Sequence, residues 1–327
     1  MEKKDLIKRL TEILTEAQSS DKLSVIENAD MSKYTSFRAG GKAAALVEVE
    51  NKEQLKAVLR FAEEEKIPHL LLGNGSNTLF KDSGYDGLVI KLGDCFGYTG
   101  IESDGHKKAG LDQPGEKVLV SRGASMLMST VAVFMREEGI TGFEFAGGIP
   151  GSIGGAMFMN AGAYGGEMKD ILSAVRVLTT TGEIRVRPAD ELDLSYRHSR
   201  MMEEQEIVLE ARLNLTQGSE FVIRAQMEEL RKRRVEKQPL EYPSAGSTFK
   251  RPEGYFAGKL IEEAGLRGYR IGDAQVSEKH CGFVINRGSA SAAQILELMQ
   301  HVQARVKENS GVDLEPEVRL LGFTPVD

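Results

Sequence analysis

Two glycine-rich segments of this chain have the composition of anion-binding loops. The longer one runs from Thr141 to Asp170, is dense in glycine, and has no charged residue between Ala146 and Tyr164. The shorter one, Gly73 to Asn77, has the sequence GNGSN and follows an apolar run. Glycine lets a backbone approach a ligand closely, and clustered main-chain N–H groups bind phosphate oxygens. Together the two segments predict a site for one extended, anionic dinucleotide.

The spacing of these glycines disfavours two familiar phosphate-binding motifs. Neither segment contains G-x-G-x-x-G opening a helix, and no G-K-[ST] follows, so a Rossmann fold and a P-loop are disfavoured. A tightly packed structural turn remains the alternative for either segment alone. The residues that we predict to bind the dinucleotide are Gly73, Asn74, Gly75, Ser76, Asn77, Gly147, Gly148, Gly151, Ser152, Gly154, Gly155, Ala156, Asn160, Gly162 and Ala163.

The composition is that of a globular protein large enough for two or three domains. The chain has 327 residues, of which 41% are hydrophobic and 28% charged. Its net charge of -7 argues against general nucleic-acid binding, which needs a basic surface. The N-terminal sequence MEKKDLIKRLTEILTEA lacks the apolar core of a secretory signal, and no apolar run reaches the roughly 18 residues of a membrane span. We therefore expect a cytoplasmic protein with no membrane or nucleic-acid partner.

The cysteines and histidines do not form a metal-binding pattern. Cys95 and Cys281 are far apart in sequence, and the five histidines are scattered without an H-E-x-x-H motif. We expect neither a disulfide framework nor a metal site.

Hydrophobic periodicity predicts that a small α/β unit holds the GNGSN segment. A helix over residues 4–17 is followed by a strand, Ala44–Val49, and by a helix that starts at Asn51, where Gln54 completes a capping pair. Two apolar strands at 69–72 and 87–92 flank GNGSN. This first unit is predicted to end near residue 100.

A second unit, of α+β type, is predicted to hold the long glycine-rich segment. After a polar segment at 100–115 that we do not assign, it has a strand at 117–121. A helix capped by Ser125 follows, with Leu127 and Val131 facing inward. Strands at 173–180 and 183–187 around Thr181-Gly182 predict a hairpin, and a last strand covers 207–215.

The remaining chain predicts a third α+β unit. It has a helix at 219–237 with a basic end, a short helix at 256–264 and a strand at 282–286. A longer helix at 291–309 has a capping box, Ser291 with Gln294, and Gly311 as its stop. A final strand at 312–321 contains EPEVR.

Five motifs that occur together and in order give this chain a specific resemblance. They are GNGSN, IPGSIGGAMFMNAGAYGGE, SYR at 195–197, KQPLEYPSAGSTFKRP at 237–252 and LEPEVR at 314–319. From about Tyr34 to Gly322 the sequence closely resembles the bacterial UDP-N-acetylenolpyruvoylglucosamine reductases. The motifs lie in three separate units, which makes the resemblance specific.

This resemblance implies a fold and a division into domains. The fold class is α+β, with a two-lobed FAD-binding domain of the vanillyl-alcohol-oxidase type and a C-terminal substrate-binding domain. The lobes would cover residues 1–100 and 101–214, and the third domain 215–327. The short interval between Arg200 and Leu215 is similar to that of the shorter, type II members, so the substrate-capping loop of the longer type should be absent.

The resemblance also implies a reaction and the residues that serve it. NADPH would reduce a non-covalently bound FAD, and the reduced FAD would then reduce the enolpyruvyl ether of a UDP-sugar. Ser247 matches the proton donor, and Arg197 and Glu317 match the pair that stabilises the enolate. Softer matches are Arg234 near the flavin, and Tyr196, Lys237 and Arg319 at the substrate. A monomer whose partner is the small-molecule UDP-sugar is expected.

Physical chemistry constrains these roles. An arginine fork fits a carboxylate, whereas Glu317 beside an anionic intermediate is useful only with a raised pKa or through a partner. Tyr242 and Tyr255 could stack on uracil, but a core or surface role is the simpler interpretation. Two other functions stay open: a related flavin oxidoreductase acting on a hydroxy acid, and a non-catalytic nucleotide-sugar binding protein.

Overall fold

The chain forms a mixed α+β fold in a computed structural model that describes residues 3–17, 24–103, 115 and 117–324. Most of the polar segment at 100–115 therefore lies outside the described residues. None of the helices in the described ranges combines the length and apolar character needed to cross a bilayer.

The first unit is a four-stranded sheet covered by two helices. Its strands are β1 (Ser24–Asp30), β2 (Lys42–Val49), β3 (His69–Leu71) and β5 (Tyr85–Leu92), in the order β1-β2-β5-β3. Strands β2 and β3 are parallel to β5. Helices α1 (Lys3–Glu16) and α2 (Lys52–Glu64) bury their leucines in the core of this unit. The predicted cap is confirmed, since the Asn51 side chain accepts a hydrogen bond from the Gln54 amide.

Strand β1 is absent from our prediction. Its middle is exposed, so the sequence lacks the alternation of a half-buried strand, and Asn28 interrupts it with a φ of 48°.

The second unit is an antiparallel sheet. It contains β6 (Thr99–Ser103), β7 (Lys117–Gly123), β11 (Leu172–Leu178), β12 (Ile184–Pro188) and β13 (Ile207–Gln217), in the order β12-β11-β13-β7-β6. A short strand, β8 (Ile140–Thr141), also pairs with β13. The predicted hairpin is confirmed by the antiparallel pairing of β11 with β12. Helices α3 (Met128–Glu137), α4 (Ile153–Phe158) and α5 (Arg200–Glu203) complete the unit, with a small hairpin of β9 (Gly162–Ala163) and β10 (Gly166–Glu167).

The predicted start of α3 is wrong. Ser125 does not cap the helix; Leu127 is its first flanking residue, and its side chain is exposed rather than buried. The reason is the glycine-rich segment, because Met128 donates its amide to Gly151 O and replaces a side-chain cap with a tertiary contact.

The C-terminal unit packs two helices on a three-stranded sheet. Helix α6 (Glu220–Lys237) leads to α7 (Ala257–Glu263), then to β14 (Arg270–Ile271), β15 (Ala274–Val276) and β16 (Val284–Asn286), and to α8 (Ala292–Ser310). The capping box of Ser291 with Gln294 is confirmed, as is Gly311, which ends α8 with a φ of 74°. Most buried side chains of this unit come from α7, α8 and the sheet.

The last strand is shorter than predicted and returns to the first unit. Strand β17 (Arg319–Leu321) pairs in parallel with β4 (Thr78–Phe80) directly after GNGSN. Before it, the chain lies along residues 248–250, where Glu317 donates its amide to Thr248 O and Lys250 donates to Glu315 O. The chain thus brings the EPEVR and AGSTFK motifs beside GNGSN. The α+β fold class is confirmed, while the domain limits at 100 and 214 stay a prediction.

Candidate active site

A cavity of about 1070 Å³ lies where the three units meet. Its wall includes GNGSN, most residues of the segments 149–159 and 161–164, the tip of the β11–β12 hairpin and residues 245–247. Typical small-molecule pockets measure about 300–1,000 Å³, so this one has the volume for a dinucleotide together with a second ligand.

The two glycine-rich loops contact each other at this cavity. The Asn74 side chain donates to Pro150 O at 2.6 Å, which joins GNGSN to the longer segment. At Gly75, with a φ of 62°, an added Cβ would lie 1.9 Å from Tyr34 O, so a larger residue does not fit there. Among the described residues, the backbone amides of Asn74, Gly75 and Ser76 have no protein acceptor. Unused amides in such a loop are the donors that a pyrophosphate needs.

Arg197 and Glu317 form an ion pair in the cavity wall. The Arg197 Nε lies 2.6 Å from the Glu317 Oε1, and the two side chains are only 18% and 10% exposed. Arg197 occupies a two-residue turn closed by hydrogen bonds between Ser195 and His198, and has a φ of 55°. A positive φ in a non-glycine residue costs roughly 1–3 kcal/mol and persists only where the surroundings hold it. The turn thus fixes the guanidinium toward Glu317.

Burial raises the pKa of Glu317, and the nearby Arg197 guanidinium opposes this only in part. The second carboxylate oxygen, Oε2, is buried without a hydrogen-bond partner. An unpartnered carboxylate oxygen in a dry site favours the protonated form, in which Oε2 becomes a donor. The sequence analysis required a raised pKa for Glu317 beside an anionic intermediate, and the structure supports this requirement.

Ser247 lines the same cavity as this pair. It is half-buried, and no hydrogen bond of its hydroxyl is found among the described residues, whereas those of its neighbour Thr248 are. Its neighbour Thr248 fixes the backbone: the Thr248 amide donates to Gly282 O, and its hydroxyl accepts from the Val284 amide. Because the backbone is held by Thr248, the Ser247 hydroxyl is left for a ligand.

Two further arginines face the cavity. The Arg234 Nε donates to Gln238 Oε1, while its Nη1 is buried with no partner. Gly148 makes room for this guanidinium, because a Cβ there would lie 2.2 Å from the Nη1. Arg319 lies with its guanidinium 5.3 Å from the centre of the Phe158 ring, and burial lowers its pKa. An orphaned donor and a second cation favour a polar, anionic ligand.

Most of the predicted site residues line this cavity. Those that do are Gly73, Asn74, Gly75, Ser76, Asn77, Gly151, Ser152, Gly154, Gly155, Ala156, Gly162, Ala163, Arg197, Arg234, Ser247, Glu317 and Arg319.

Five predicted site residues lie elsewhere. Gly147 lies against Ala132 and Met227, Gly148 is exposed beside the Arg234 side chain, and Asn160 is fully buried. Lys237 is exposed at the end of α6. Tyr196 lines a smaller neighbouring cavity of about 420 Å³ together with Tyr164, Lys169 and Arg251, and its hydroxyl accepts from the Arg251 amide.

Our sequence analysis did not identify Lys91, Phe283 or the hairpin tip at 179–182, all of which line the large cavity. Lys91 donates to Gly73 O at 3.1 Å and so supports the first loop. A general rule could have found it, since ligands bind beyond the carboxyl ends of parallel strands and Lys91 is at that end of β5. Phe283 and the hairpin tip carry no comparable signal.

Sequence profiles of two known domains match this chain. One, described as "FAD binding domain", covers residues 43–187, and the other, described as "UDP-N-acetylenolpyruvoylglucosamine reductase, C-terminal domain", covers residues 238–321. The reductase of Agathobacter rectalis is 50% identical over 92% of this chain and 95% of its own. That of Caldanaerobacter subterraneus is 44% identical over 97% and 98%. The chain belongs to the UDP-N-acetylenolpyruvoylglucosamine reductase family.

A solved structure of a family member agrees with this assignment. The crystal structure of the reductase from Thermus caldophilus is 34% identical, covers 92% of this chain and 99% of its own, and superposes with a TM-score of 0.74. In our chain, residues 204–206 connect α5 directly to β13. No inserted capping loop lies there, as expected for the shorter members of the family.

Proposed function

We propose that this protein is an FAD-dependent reductase that uses NADPH to convert UDP-N-acetylglucosamine enolpyruvate to UDP-N-acetylmuramate, a precursor of peptidoglycan. Membership of the family supports the reaction. Within the site, the main support for the proposal is the Arg197–Glu317 pair. It lines the same cavity as Ser247, whose hydroxyl makes no hydrogen bond to a described residue.

The residues of the cavity fit FAD. We propose that the free amides of GNGSN and the 151–156 segment hold its pyrophosphate, with Arg234 supplying an unpaired N–H group. Lys91 adds a positive charge beside the first loop. Bound FAD would supply the hydride that is added to the methylene carbon of the enolpyruvyl group. That addition leaves negative charge at the neighbouring carbon, delocalised into the carboxylate.

Three residues of the protein stabilise or neutralise this negative charge. Arg197, held by its turn and by Glu317, presents fixed donors to the substrate carboxylate, and such preorganised donors stabilise developing charge strongly in a dry site. Burial raises the pKa of Glu317, and a proton on this carboxyl would add a donor and avoid a second negative charge beside the enolate. Ser247 then gives its hydroxyl proton to the carbanionic carbon and must be reprotonated from solvent. This sequence yields the lactyl ether of the product.

The other two candidate functions lack support in the site. A hydroxy-acid oxidase removes a hydride from its substrate, whereas the relatives that match most of this chain are reductases, and the Arg197–Glu317 pair with Ser247 matches the motifs of that family. The same relatives are named as reductases, which disfavours a binding protein without catalysis. We also propose a cytoplasmic monomer, which size-exclusion chromatography with light scattering would test.

The test is steady-state NADPH oxidation by the yellow, FAD-loaded protein. We expect turnover that depends on UDP-N-acetylglucosamine enolpyruvate and is absent with UDP-N-acetylglucosamine, which lacks the enolpyruvyl group. Oxidation of a 2-hydroxy acid by the FAD-loaded protein in air without NADPH, measured as hydrogen peroxide, would reject the proposal, as would a protein that cannot be loaded with FAD.

A further inference from the structure

Asn160 was predicted to bind the cofactor, but in the structure it is buried inside the second unit. It follows the C-terminal end of α4, has a φ of 42°, and is completely buried. Asparagine tolerates this left-handed conformation better than most residues. The Asn160 side chain does not line the large cavity, so it does not face that space.

The side chain of Asn160 is fully used within the protein. Its Nδ2 donates to Ser195 O at 2.9 Å and to Glu167 Oε2 at 3.0 Å, and its Oδ1 accepts from the Lys169 amide at 2.9 Å. Lys169 also pairs with Glu167 at 2.9 Å. Asn160 thus links the end of α4, the β10 segment and the chain that carries Arg197.

Ser195 is the first residue of the turn that presents Arg197. The turn is closed by reciprocal bonds between Ser195 and His198, with Tyr196 and Arg197 at its two central positions. Arg197 is held there at a φ of 55° with its Nε 2.6 Å from Glu317. Such strain needs an external anchor, and Asn160 provides one from the buried side.

We propose that Asn160 is a positioning residue for the reduction of the enolpyruvyl group: by holding Ser195 O, it fixes the turn that directs Arg197 at the substrate carboxylate and Glu317. This inference rests on the proposed function. Misplacement of a catalytic group by about 1 Å can lower a rate by on the order of 10²-fold. Asn160→Ala should therefore slow the substrate half-reaction by about 10- to 100-fold.

Measuring FAD reduction and FAD re-oxidation separately distinguishes a positioning role of Asn160 from a general structural role. In anaerobic stopped-flow experiments, reduction of the FAD-loaded protein by NADPH should change less than about threefold in Asn160→Ala, whereas re-oxidation by the enolpyruvyl substrate should slow as stated. Asn286→Ala is the matched control, because Asn286 is also buried and makes three similar bonds, to Phe37 O and from the amides of Gly288 and Ala290. Both half-reactions should be retained in Asn286→Ala.

A double-mutant cycle tests whether Asn160 acts through Arg197. Residues that work as a unit are non-additive, so Asn160→Ala should slow re-oxidation by less than about threefold in an Arg197→Ala background. Full multiplication of the two effects would overturn the proposal. So would wild-type re-oxidation by Asn160→Ala.

The milder Asn160→Ser variant provides a second test if the alanine variant is unstable. It should retain FAD and show the same selective loss, and loss of FAD by both variants would make Asn160 a cofactor determinant and overturn the proposal. If the wild-type and Asn286→Ala proteins both fail to react with the enolpyruvyl substrate, the proposed function fails instead.

Discussion

Replacing Ser247 by alanine should separate catalysis from stability. The Ser247 hydroxyl makes no hydrogen bond to a described residue, and the backbone around it is fixed by Thr248 through Gly282, Val284 and Glu317. Removing one half-buried hydroxyl from such a site should change the free energy of unfolding by less than about 0.5 kcal/mol. The cavity and the Arg197–Glu317 pair should stay in place.

The catalytic loss should be much larger. A lost general acid lowers a rate by about 10²–10⁴-fold, which corresponds to about 2.7–5.4 kcal/mol of transition-state free energy. This loss should be confined to the step in which the substrate is protonated. Reduction of the FAD by NADPH does not need the Ser247 proton and should proceed at the wild-type rate.

Anaerobic stopped-flow absorbance at the flavin band measures both half-reactions, and urea unfolding measures stability. Ser289→Ala is a suitable control, because Ser289 is an exposed serine of the same unit whose side chain makes no hydrogen bond among the described residues. Product formation is followed alongside by rapid quench, and if Ser247→Ala forms UDP-N-acetylmuramate at close to the wild-type rate, Ser247 is not the proton donor. If NADPH reduction is lost as well, the assumption that the cavity is unchanged is wrong.

Four other substitutions test the rest of the site. Arg197→Lys keeps the charge but loses the fork and the 2.6 Å contact of Nε with Glu317, so re-oxidation should slow by about 10-fold or more; unchanged kinetics would contradict carboxylate recognition. Because the pKa of Glu317 is raised, its native state holds a proton more tightly than the unfolded chain, and that stability is lost as pH rises through the native pKa. In urea unfolding, the stability of wild type relative to Glu317→Gln should fall as the pH rises from about 4, and a growing advantage would refute a raised pKa. Arg234→Met removes the unpartnered Nη1 and should weaken FAD binding by about 10-fold or more in a flavin fluorescence titration. Gly148→Ala crowds the same guanidinium and should also weaken FAD binding. Unchanged affinity in both variants would show that Arg234 does not bind the cofactor.

The sequence predicted most accurately those elements whose defining contacts join residues close together in the chain. Asn51 with Gln54 and Ser291 with Gln294 cap their helices as expected, and the hairpin around Thr181-Gly182 forms. In each case the partner lies within a few residues, so the pattern contains the interaction. The final strand was predicted too long because residues 315–317 pair with residues 248–250 instead of extending β17, and no local pattern reveals that partner.

In the candidate site, too, short motifs identified some residues, whereas contacts between distant segments could not be predicted. Ser247, Arg197 and Glu317 come from motifs far apart in sequence, and resemblance identified them together although periodicity could not. Asn160 lies within a glycine-rich motif and was assigned to the cofactor with its neighbours. Its actual partners, Ser195 and Glu167, depend on how the α4 end packs against the Arg197 turn. Only the folded chain contains that information.

The central claim is that this cavity brings a flavin and an enolpyruvyl UDP-sugar together. The most direct measurement is to reduce the FAD-loaded protein anaerobically with one equivalent of NADPH, add UDP-N-acetylglucosamine enolpyruvate, and record the visible spectrum and the mass of the sugar nucleotide. We expect the yellow colour to return and the sugar nucleotide to gain two hydrogen atoms. A protein that stays colourless, with the enolpyruvyl compound recovered unchanged, would contradict the claim.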